Sequence, residues 1–119
     1  MCGILAFFDI NGHYKGTPEE LKAHLAALGH RQFSRGPDMS GYHGGQFWGL
    51  AHERLSIMDP EHGKQPIIHP NGNICCVHNG EIYNFRALLA QHGITHVKTG
   101  SDSESLVHLY EKLGNSLVE

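Results

Sequence analysis

Length and composition place this chain among single-domain globular proteins. Its 119 residues suffice for one domain with one hydrophobic core and are too few for two. The 12 acidic and 9 basic residues are spread without runs, so neither a nucleic-acid partner nor a membrane-surface partner is expected. No apolar stretch reaches the roughly 18 residues that span a bilayer, and the first residues lack the basic region of a signal peptide.

The three cysteines are an odd number, which excludes a complete disulfide framework. Cys75 and Cys76 are adjacent, and neighbouring residues of a strand point to opposite faces. Reduced thiols and a cytoplasmic location are therefore expected.

The first part of the chain predicts a strand, a helix and a polar loop. The apolar run over residues 4–10 predicts a buried strand. Thr17-Pro18-Glu19-Glu20 predicts a helix start, because it combines a capping residue, a proline at the first helical position and a capping-box glutamate. Gly29 is expected to end this helix. The stretch over residues 35–49 is rich in glycine and polar residues, and Arg35-Gly36-Pro37-Asp38 predicts a turn at its start.

The second part predicts strands followed by two helices. Residues 47–57 read as one strand or two, residues 58–73 as a proline-containing loop, and residues 74–78 as an apolar strand. Asn84 and Gly93 are expected to bound one helix, whereas a capping box at Ser101-Asp102-Ser103-Glu104 and a stop at Gly114 bound the other. This order of elements indicates a mixed, layered domain.

The position of Cys2, directly after the initiator methionine, is the most informative feature of the sequence. Removal of Met1, which is usual before a small side chain, makes Cys2 the first residue. A free α-amino group is partly neutral at cellular pH and can take the thiol proton. One residue then supplies both nucleophile and base. The alternative is a chance cysteine at the start of a strand.

Asn79-Gly80-Glu81 follows an apolar strand, at a strand-to-loop junction. An asparagine amide and a glycine N–H at such a junction can form an oxyanion hole, and glycine allows a substrate to approach closely. The alternative is a tight hairpin turn, for which Asn-Gly is the commonest dipeptide.

Two charged side chains suit the two charged groups of an amino-acid substrate. Arg54 lies in a strand-like segment, and its guanidinium fork fits an α-carboxylate. A surface salt bridge is the alternative for this arginine. Asp102 can bind an ammonium group, although an acidic residue in the first turn of a helix is also favourable by itself.

The eleven histidines raise the question of a metal site. No Cys-x-x-Cys or His-x-x-x-His pair lies on a credible scaffold, because His92 and His96 straddle Gly93, a predicted helix end. No metal ligand is therefore expected, and Cys76 or Cys75 is interpreted as a small buried hydrophobe.

Taken together, these motifs resemble a known family. The chain is similar over essentially its whole length to the class II, N-terminal-nucleophile glutaminase domain of the asparagine synthetases. Other class II amidotransferases share the Cys-Gly-Ile start but differ around the arginine. The resemblance is carried, in this order, by Cys2-Gly3-Ile4, Arg35-Gly36-Pro37-Asp38, His52-Glu53-Arg54-Leu55-Ser56-Ile57, Gln65-Pro66, Asn79-Gly80-Glu81-Ile82-Tyr83-Asn84 and Gly100-Ser101-Asp102.

The resemblance implies the catalytic residues. Cys2 matches the nucleophile, with its own amine as base, and Asn79 and Gly80 match the oxyanion hole. The implied reaction is attack on the carboxamide of glutamine, formation of a γ-glutamyl thioester, release of ammonia and hydrolysis to glutamate.

The resemblance also implies the glutamine-binding residues. Arg54 matches the ligand of the α-carboxylate, and Asp102 with Glu81 matches the contacts to the α-amino group. The other residues expected to line this pocket are Leu55, Ser56, Ile57, Met58, Asn79 and Gly80.

The fold and partners are implied in the same way. The expected fold class is α/β (α+β), an N-terminal-nucleophile αββα sandwich of which residues 1–119 are the amino-terminal part. The glutaminase site is expected to need no cofactor or metal. ATP and magnesium would serve a carboxy-terminal synthetase domain, the expected partner, which uses the ammonia to amidate aspartate. The resemblance leaves a homodimer open.

Two departures from the family pattern bear on these expectations. Gln32-Phe33-Ser34 interrupts the usual His-Arg-Gly-Pro-Asp, as a short insertion after His30-Arg31. The family's domain also continues with further strands, so the chain is expected to be a fragment. The alternatives are an inactive fragment that only binds glutamine or assembles with a partner, and a related class II amidotransferase with another acceptor.

Overall fold

The computed structural model describes residues 1–56 and 61–119 and shows a mixed α/β arrangement. Its strands are β1 (Gly3–Phe8), β2 (Met39–Gly44), β3 (Trp48–Arg54), β4 (Ile67–Ile68) and β5 (Cys75–Cys76). Its helices are α1 (Pro18–His30), α2 (Phe85–Gln91) and α3 (Glu104–Leu113), with 3₁₀ turns at Phe33–Arg35 and Gly114–Val118. Within the described ranges, no helix is long and apolar enough to cross a membrane.

β3 is the central strand of an antiparallel sheet with the order β1-β3-β2. Gly3 pairs with Glu53, so the beginning of β1 lies beside the end of β3. From Gly49 to Arg54 the strand is buried, because α1 packs on one face and the chain after β5 approaches the other. The prediction of a strand over residues 47–57 is confirmed for β3, and positions 57–60 lie outside the described residues.

The predicted start of α1 is confirmed and its predicted end is wrong. Thr17 is the N-cap, and its hydroxyl accepts a hydrogen bond from the N–H of Glu20 at 3.1 Å. The helix continues through Gly29 to His30. Gly29 is required for packing, because a Cβ there would lie 2.9 Å from the Cβ of Ala51 on β3.

β2 forms in a glycine-rich stretch for which the sequence predicted a turn and no strand. The glycine content of this stretch reflects close packing as well as turns. A Cβ on Gly41, in the middle of β2, would lie 1.7 Å from the carbonyl oxygen of Gln65. Glycine is therefore the residue that lets the chain before β4 cross the strand at this distance.

The strand predicted over residues 74–78 is confirmed only for its middle, β5, which pairs with β4 in a separate two-stranded sheet. Gly72, with a φ of 77°, lies in the turn between them. Gly93 and Gly114 also have positive φ values and follow α2 and α3, as predicted for helix-ending glycines.

The capping box predicted at Ser101 is wrong. Ser103 is the N-cap of α3, and its side chain makes no capping hydrogen bond. The carboxylate of Glu104 instead accepts hydrogen bonds from the backbone N–H groups of Lys98 and Thr99, each at 2.7 Å. Burial alone would raise the pKa of Glu104, but these hydrogen bonds lower it below its usual value. Glu104 therefore ties the preceding loop to α3.

The hydrophobic core of the second half lies between α2 and α3 and consists of Phe85, Leu89, Ile94 and Leu109. α3 also packs on β4 and β5. All three cysteines carry free thiols, and Cys75 and Cys76 are half-buried. Burial raises the pKa of Cys76 to about 12, so this thiol is not a nucleophile near neutral pH.

Candidate active site

A cavity of about 330 Å³ opens where the start of β1, the end of β3 and the segments before α2 and α3 meet. Predicted site residues contribute most of its lining: Cys2, Arg54, Leu55, Asn79, Gly80, Glu81 and Asp102. The lining does not include Ser56, whose N–H donates to the Asp38 carboxylate at 2.8 Å. Ile57 and Met58 lie outside the described residues. The fold thus brings together side chains from both ends of the chain.

The sulfur of Cys2 lies against the first residue after β3. The N–H of Leu55 donates to Sγ at 3.3 Å, and Sγ lies 3.6 Å from the carbonyl oxygen of the same residue. These two contacts fix the sulfur beside the backbone at the end of β3. Cys2 is half-buried, so the sulfur is held in place and remains accessible from the cavity.

Asn79 contacts the backbone of the same cysteine. Its Oδ1 accepts a hydrogen bond from the backbone nitrogen of Cys2 at 3.1 Å. Since Oδ1 faces Cys2, the NH₂ group of Asn79 points away from that nitrogen as a donor. Asn79-Gly80 is not a hairpin turn, because it lies between β5 and α2. This arrangement contradicts the hairpin alternative and suits an amide that serves a reaction.

Arg54 and Asp102 place opposite charges at the cavity. Arg54 is the last residue of β3 and is only 4% exposed, so it does not lie on the surface. Asp102 is 5% exposed and precedes α3 by two residues. Its carboxylate accepts a hydrogen bond from the N–H of Ile82 at 2.5 Å, which ties the start of α3 to the segment that carries Asn79.

Further cavity residues had no predicted role: Gln65, His78, Ser101 and Ser103. The N–H of His78 donates to Oε1 of Gln65 at 2.6 Å, and Nδ1 of His78 lies 2.9 Å from the Ser103 hydroxyl. A Cβ on Gly80 would lie 2.9 Å from this ring. His78 is thus held by two distant segments. Gln65 and Ser101 belong to motifs that carry the resemblance, whereas His78 and Ser103 do not.

The segment around the three-residue insertion borders the site. Nε of Arg35 donates to the carbonyl oxygen of Cys2 at 3.2 Å, and the N–H of Asp38 donates to the carbonyl oxygen of Arg54 at 3.0 Å. Gln32, from the insertion itself, donates to the carbonyl oxygen of Ile4 at 3.1 Å. The insertion therefore packs on β1 and leaves this loop next to the cavity.

His52 connects β3 to the Asn79 segment from below the cavity. It is 1% exposed, and its Nε2 lies 3.3 Å from the carbonyl oxygen of His78. Burial lowers the pKa of His52 below its usual value, and the hydrogen bond to His78 offsets this only in part. The His52 ring is therefore neutral and donates from Nε2 to the carbonyl oxygen of His78. This hydrogen bond positions the residue before Asn79.

Comparison with known proteins agrees with this geometry. A family model described as a glutamine amidotransferase domain matches residues 1–119. The chain belongs to this family. The amidotransferase domain is 40% identical over 119 residues to asparagine synthetase [glutamine-hydrolyzing] 3 of Arabidopsis thaliana. It is 40% identical over 122 residues to the asparagine synthetase [glutamine-hydrolyzing] of Triphysaria versicolor, and 38% identical over 119 residues to that of Zea mays.

These matches cover 100% of this chain and 20% of each relative, so the amidotransferase domain spans about a fifth of their length. It is homologous to the amino-terminal glutaminase part of the asparagine synthetases. The resemblance seen in the motifs is confirmed.

Proposed function

We propose that this domain hydrolyses glutamine to glutamate and ammonia, with Cys2 as the nucleophile. The observation that carries the proposal is the convergence of Cys2, Asn79, Arg54 and Asp102 on one cavity. Sγ attacks the carboxamide carbon, and the oxyanion that forms is stabilised by the Asn79 NH₂ and the N–H of Gly80. The C–N bond then breaks, which releases ammonia and leaves a thioester. Water hydrolyses the thioester to glutamate and regenerates the thiol.

The α-amino group of Cys2 serves as the base once Met1 is removed. The nitrogen that would become this amine already lies 3.1 Å from Oδ1 of Asn79. The amine takes the proton of Sγ and returns it to the departing ammonia, so no other residue needs to move a proton in the first half of the reaction.

Charge and size support glutamine as the substrate. Arg54 supplies a buried cation for the α-carboxylate, and Asp102 with Glu81 supplies negative charge for the α-ammonium group. A cavity of about 330 Å³ is at the small end of ligand sites, as expected for a free amino acid.

The name of the relatives, asparagine synthetase [glutamine-hydrolyzing], supports a role for the whole protein. The ammonia would amidate aspartate in a synthetase domain that uses ATP and magnesium, in the cytoplasm, while the glutaminase site uses neither. An N-terminal-nucleophile αββα sandwich is the proposed fold. The layers support it, because α1 covers one face of the β1-β3-β2 sheet and α3 packs on the β4-β5 sheet.

A diazoketone analogue of glutamine tests the proposal, with peptide mapping by mass spectrometry as the readout. Wild type should carry one adduct, on Cys2, in molecules that lack Met1. Cys2→Ala should carry none, and Cys75→Ala, a matched control, should react like wild type. An adduct that persists in Cys2→Ala, or that forms while Met1 is attached, contradicts the mechanism. A folded wild type that forms no adduct favours the binding-only alternative.

A further inference from the structure

Three histidines from separate segments meet at α3. His69 follows β4, His96 lies between α2 and α3, and His108 lies on α3. One nitrogen from each ring lies within 4.8 Å of the others. The His108 ring makes edge-to-face contacts with both partners, at centroid distances of 4.8 Å to His69 and 5.0 Å to His96. The predicted mechanism does not use these residues.

The hydrogen bonding of His108 leaves a buried lone pair. This ring is 1% exposed, and its Nε2 lies 3.3 Å from the Glu104 carboxylate. Glu104 can only accept, so Nε2 carries the proton and Nδ1 carries the lone pair. Nδ1 is buried and has no hydrogen-bond partner among residues 1–56 and 61–119. A histidine that donates one nitrogen to a carboxylate and presents the other as a bare lone pair is the usual arrangement of a metal ligand.

His69 is also buried, at 5% exposed, and faces a second carboxylate. Its Nε2 lies 3.1 Å from a carboxylate oxygen of Glu111, although the angle is not that of a hydrogen bond. The cluster is therefore flanked by two carboxylates, Glu104 and Glu111. This surrounding charge favours a cation.

We propose that His69, His96 and His108 bind a divalent transition-metal ion, with zinc as the best fit. Neutral imidazole is a preferred ligand of zinc, and three histidines leave a fourth position for water or a carboxylate oxygen. Ligands at about 2.0–2.1 Å from one ion lie roughly 3.3 Å from each other, so the rings must close by about 1.5 Å or less. His96 is exposed and lies outside the helices and strands, so it can make this movement.

Metal binding changes one existing contact. Nδ1 of His69 now accepts a hydrogen bond from the N–H of Asn71 at 3.1 Å, which places the ring proton on Nε2. Coordination through Nε2 requires the proton on Nδ1, so this hydrogen bond is given up. It lies in the exposed turn after β4, where water can take the place of Nδ1.

The site would add a metal link between three segments that are already joined by packing and by the hydrogen bonds of Glu104 and Glu111. α3 begins beside Asp102 and carries His108 one turn later, so a bound ion would stabilise the element that borders the active site. This role is independent of glutamine hydrolysis. An ion that binds only the folded state raises its stability by mass action.

Titration of the reduced full chain with zinc and with cobalt(II) tests the site. Calorimetry should show one zinc per chain, and cobalt should give the visible bands of a tetrahedral nitrogen site. Zinc should also raise the melting temperature. In His96→Ala, whose fold is checked by circular dichroism, zinc affinity should fall by about tenfold or more and the thermal shift should disappear.

The matched control is His24→Ala, which removes an exposed histidine of α1 outside the cluster and should behave like wild type. The site is overturned if wild type binds no stoichiometric zinc, or if His96→Ala binds zinc as tightly as wild type does. Cobalt bands typical of thiolate coordination would assign the metal to the cysteines and would overturn it as well.

Discussion

The side chain of Asn79 has two functions in the proposed chemistry. Its oxygen accepts from the nitrogen of Cys2, and its NH₂ group is thereby available to an oxyanion. These two functions reside on different atoms of one amide, so a substitution can remove one of them and preserve the other.

The substitution Asn79→Asp removes the donor function and preserves the acceptor function. Aspartate keeps the shape and the acceptor toward Cys2 but loses the NH₂ donor and brings negative charge to the oxyanion. We expect kcat for glutamine hydrolysis to fall by about 100- to 1,000-fold with a small change in KM. Steady-state ammonia release measures both constants. Asn73→Asp, at an exposed turn, is the matched control. A kcat in Asn79→Asp close to that of wild type would remove Asn79 from the oxyanion hole.

At this scale the sequence predicted several residues that line the cavity and did not predict the side chains that hold them in place. Cys2, Arg54, Asn79 and Asp102 could be assigned because each carries chemistry in a recognisable motif. The role of Gln65 could not, since it depends on a hydrogen bond to the backbone of His78, 13 positions away in a different segment. Such contacts are a property of the fold and leave no local pattern.

At the scale of elements, β3 is unusual for a central strand because its last three residues are buried and polar. His52, Glu53 and Arg54 are each less than 5% exposed. Glu53 accepts from the hydroxyl of Ser40 at 2.6 Å, and His52 reaches the carbonyl oxygen of His78. Hydrophobic alternation cannot predict this end of the strand, because neighbouring elements satisfy its polar groups.

The buried His52 gives a prediction about acid stability. Because its pKa is lower in the folded than in the unfolded chain, its stabilising contribution is complete above about pH 6.5. That contribution is lost as the pH falls through the folded pKa, since the unfolded chain binds the proton first. His52→Gln keeps a donor toward His78 and removes the titration. The free energy of unfolding, measured in urea from pH 7.5 to 5, should therefore fall less steeply in this variant.

The control is His24→Gln, which changes an exposed histidine and should keep the wild-type slope. If His52→Gln and wild type lost stability in parallel, then His52 would have the same proton affinity in both states of the chain.

Elements with terminal signals were predicted best. α1 has a capping threonine and a proline at its start, and α3 is followed by Gly114, so both were found. β2 was missed because its Gly41 and Gly44 resemble loop residues. Because these two glycines have no side chain, Gln65 can lie close to Gly41 and Trp48 close to Gly44. Only the tertiary structure reveals these contacts.

At the scale of the whole molecule, α3 links the core to the active site. Leu109 belongs to the core with α2, whereas Asp102 and Ser103, just before the helix, line the cavity. The position of these cavity residues therefore depends on the packing of the helix that follows them.

Leu109→Ala tests this dependence. Leu109 is 2% exposed, so its truncation should lower the free energy of unfolding by about 2–5 kcal/mol. Leu28→Ala, which shortens a leucine of α1 that is 40% exposed, should cost roughly 1 kcal/mol or less. Urea unfolding followed by circular dichroism compares the two. Equal losses would mean that the cluster between α2 and α3 does not hold the domain together.

The pairing of Gly3 with Glu53 also determines where this chain tolerates changes of length. One residue added within β1 or β3 would invert the direction of every side chain beyond it and separate the thiol from the guanidinium. Residues added in the connection between these strands, such as Gln32-Phe33-Ser34, leave the register of β1 with β3 unchanged. Homologues of different lengths should therefore vary in the connections between these strands and keep the lengths of β1, β2 and β3 constant.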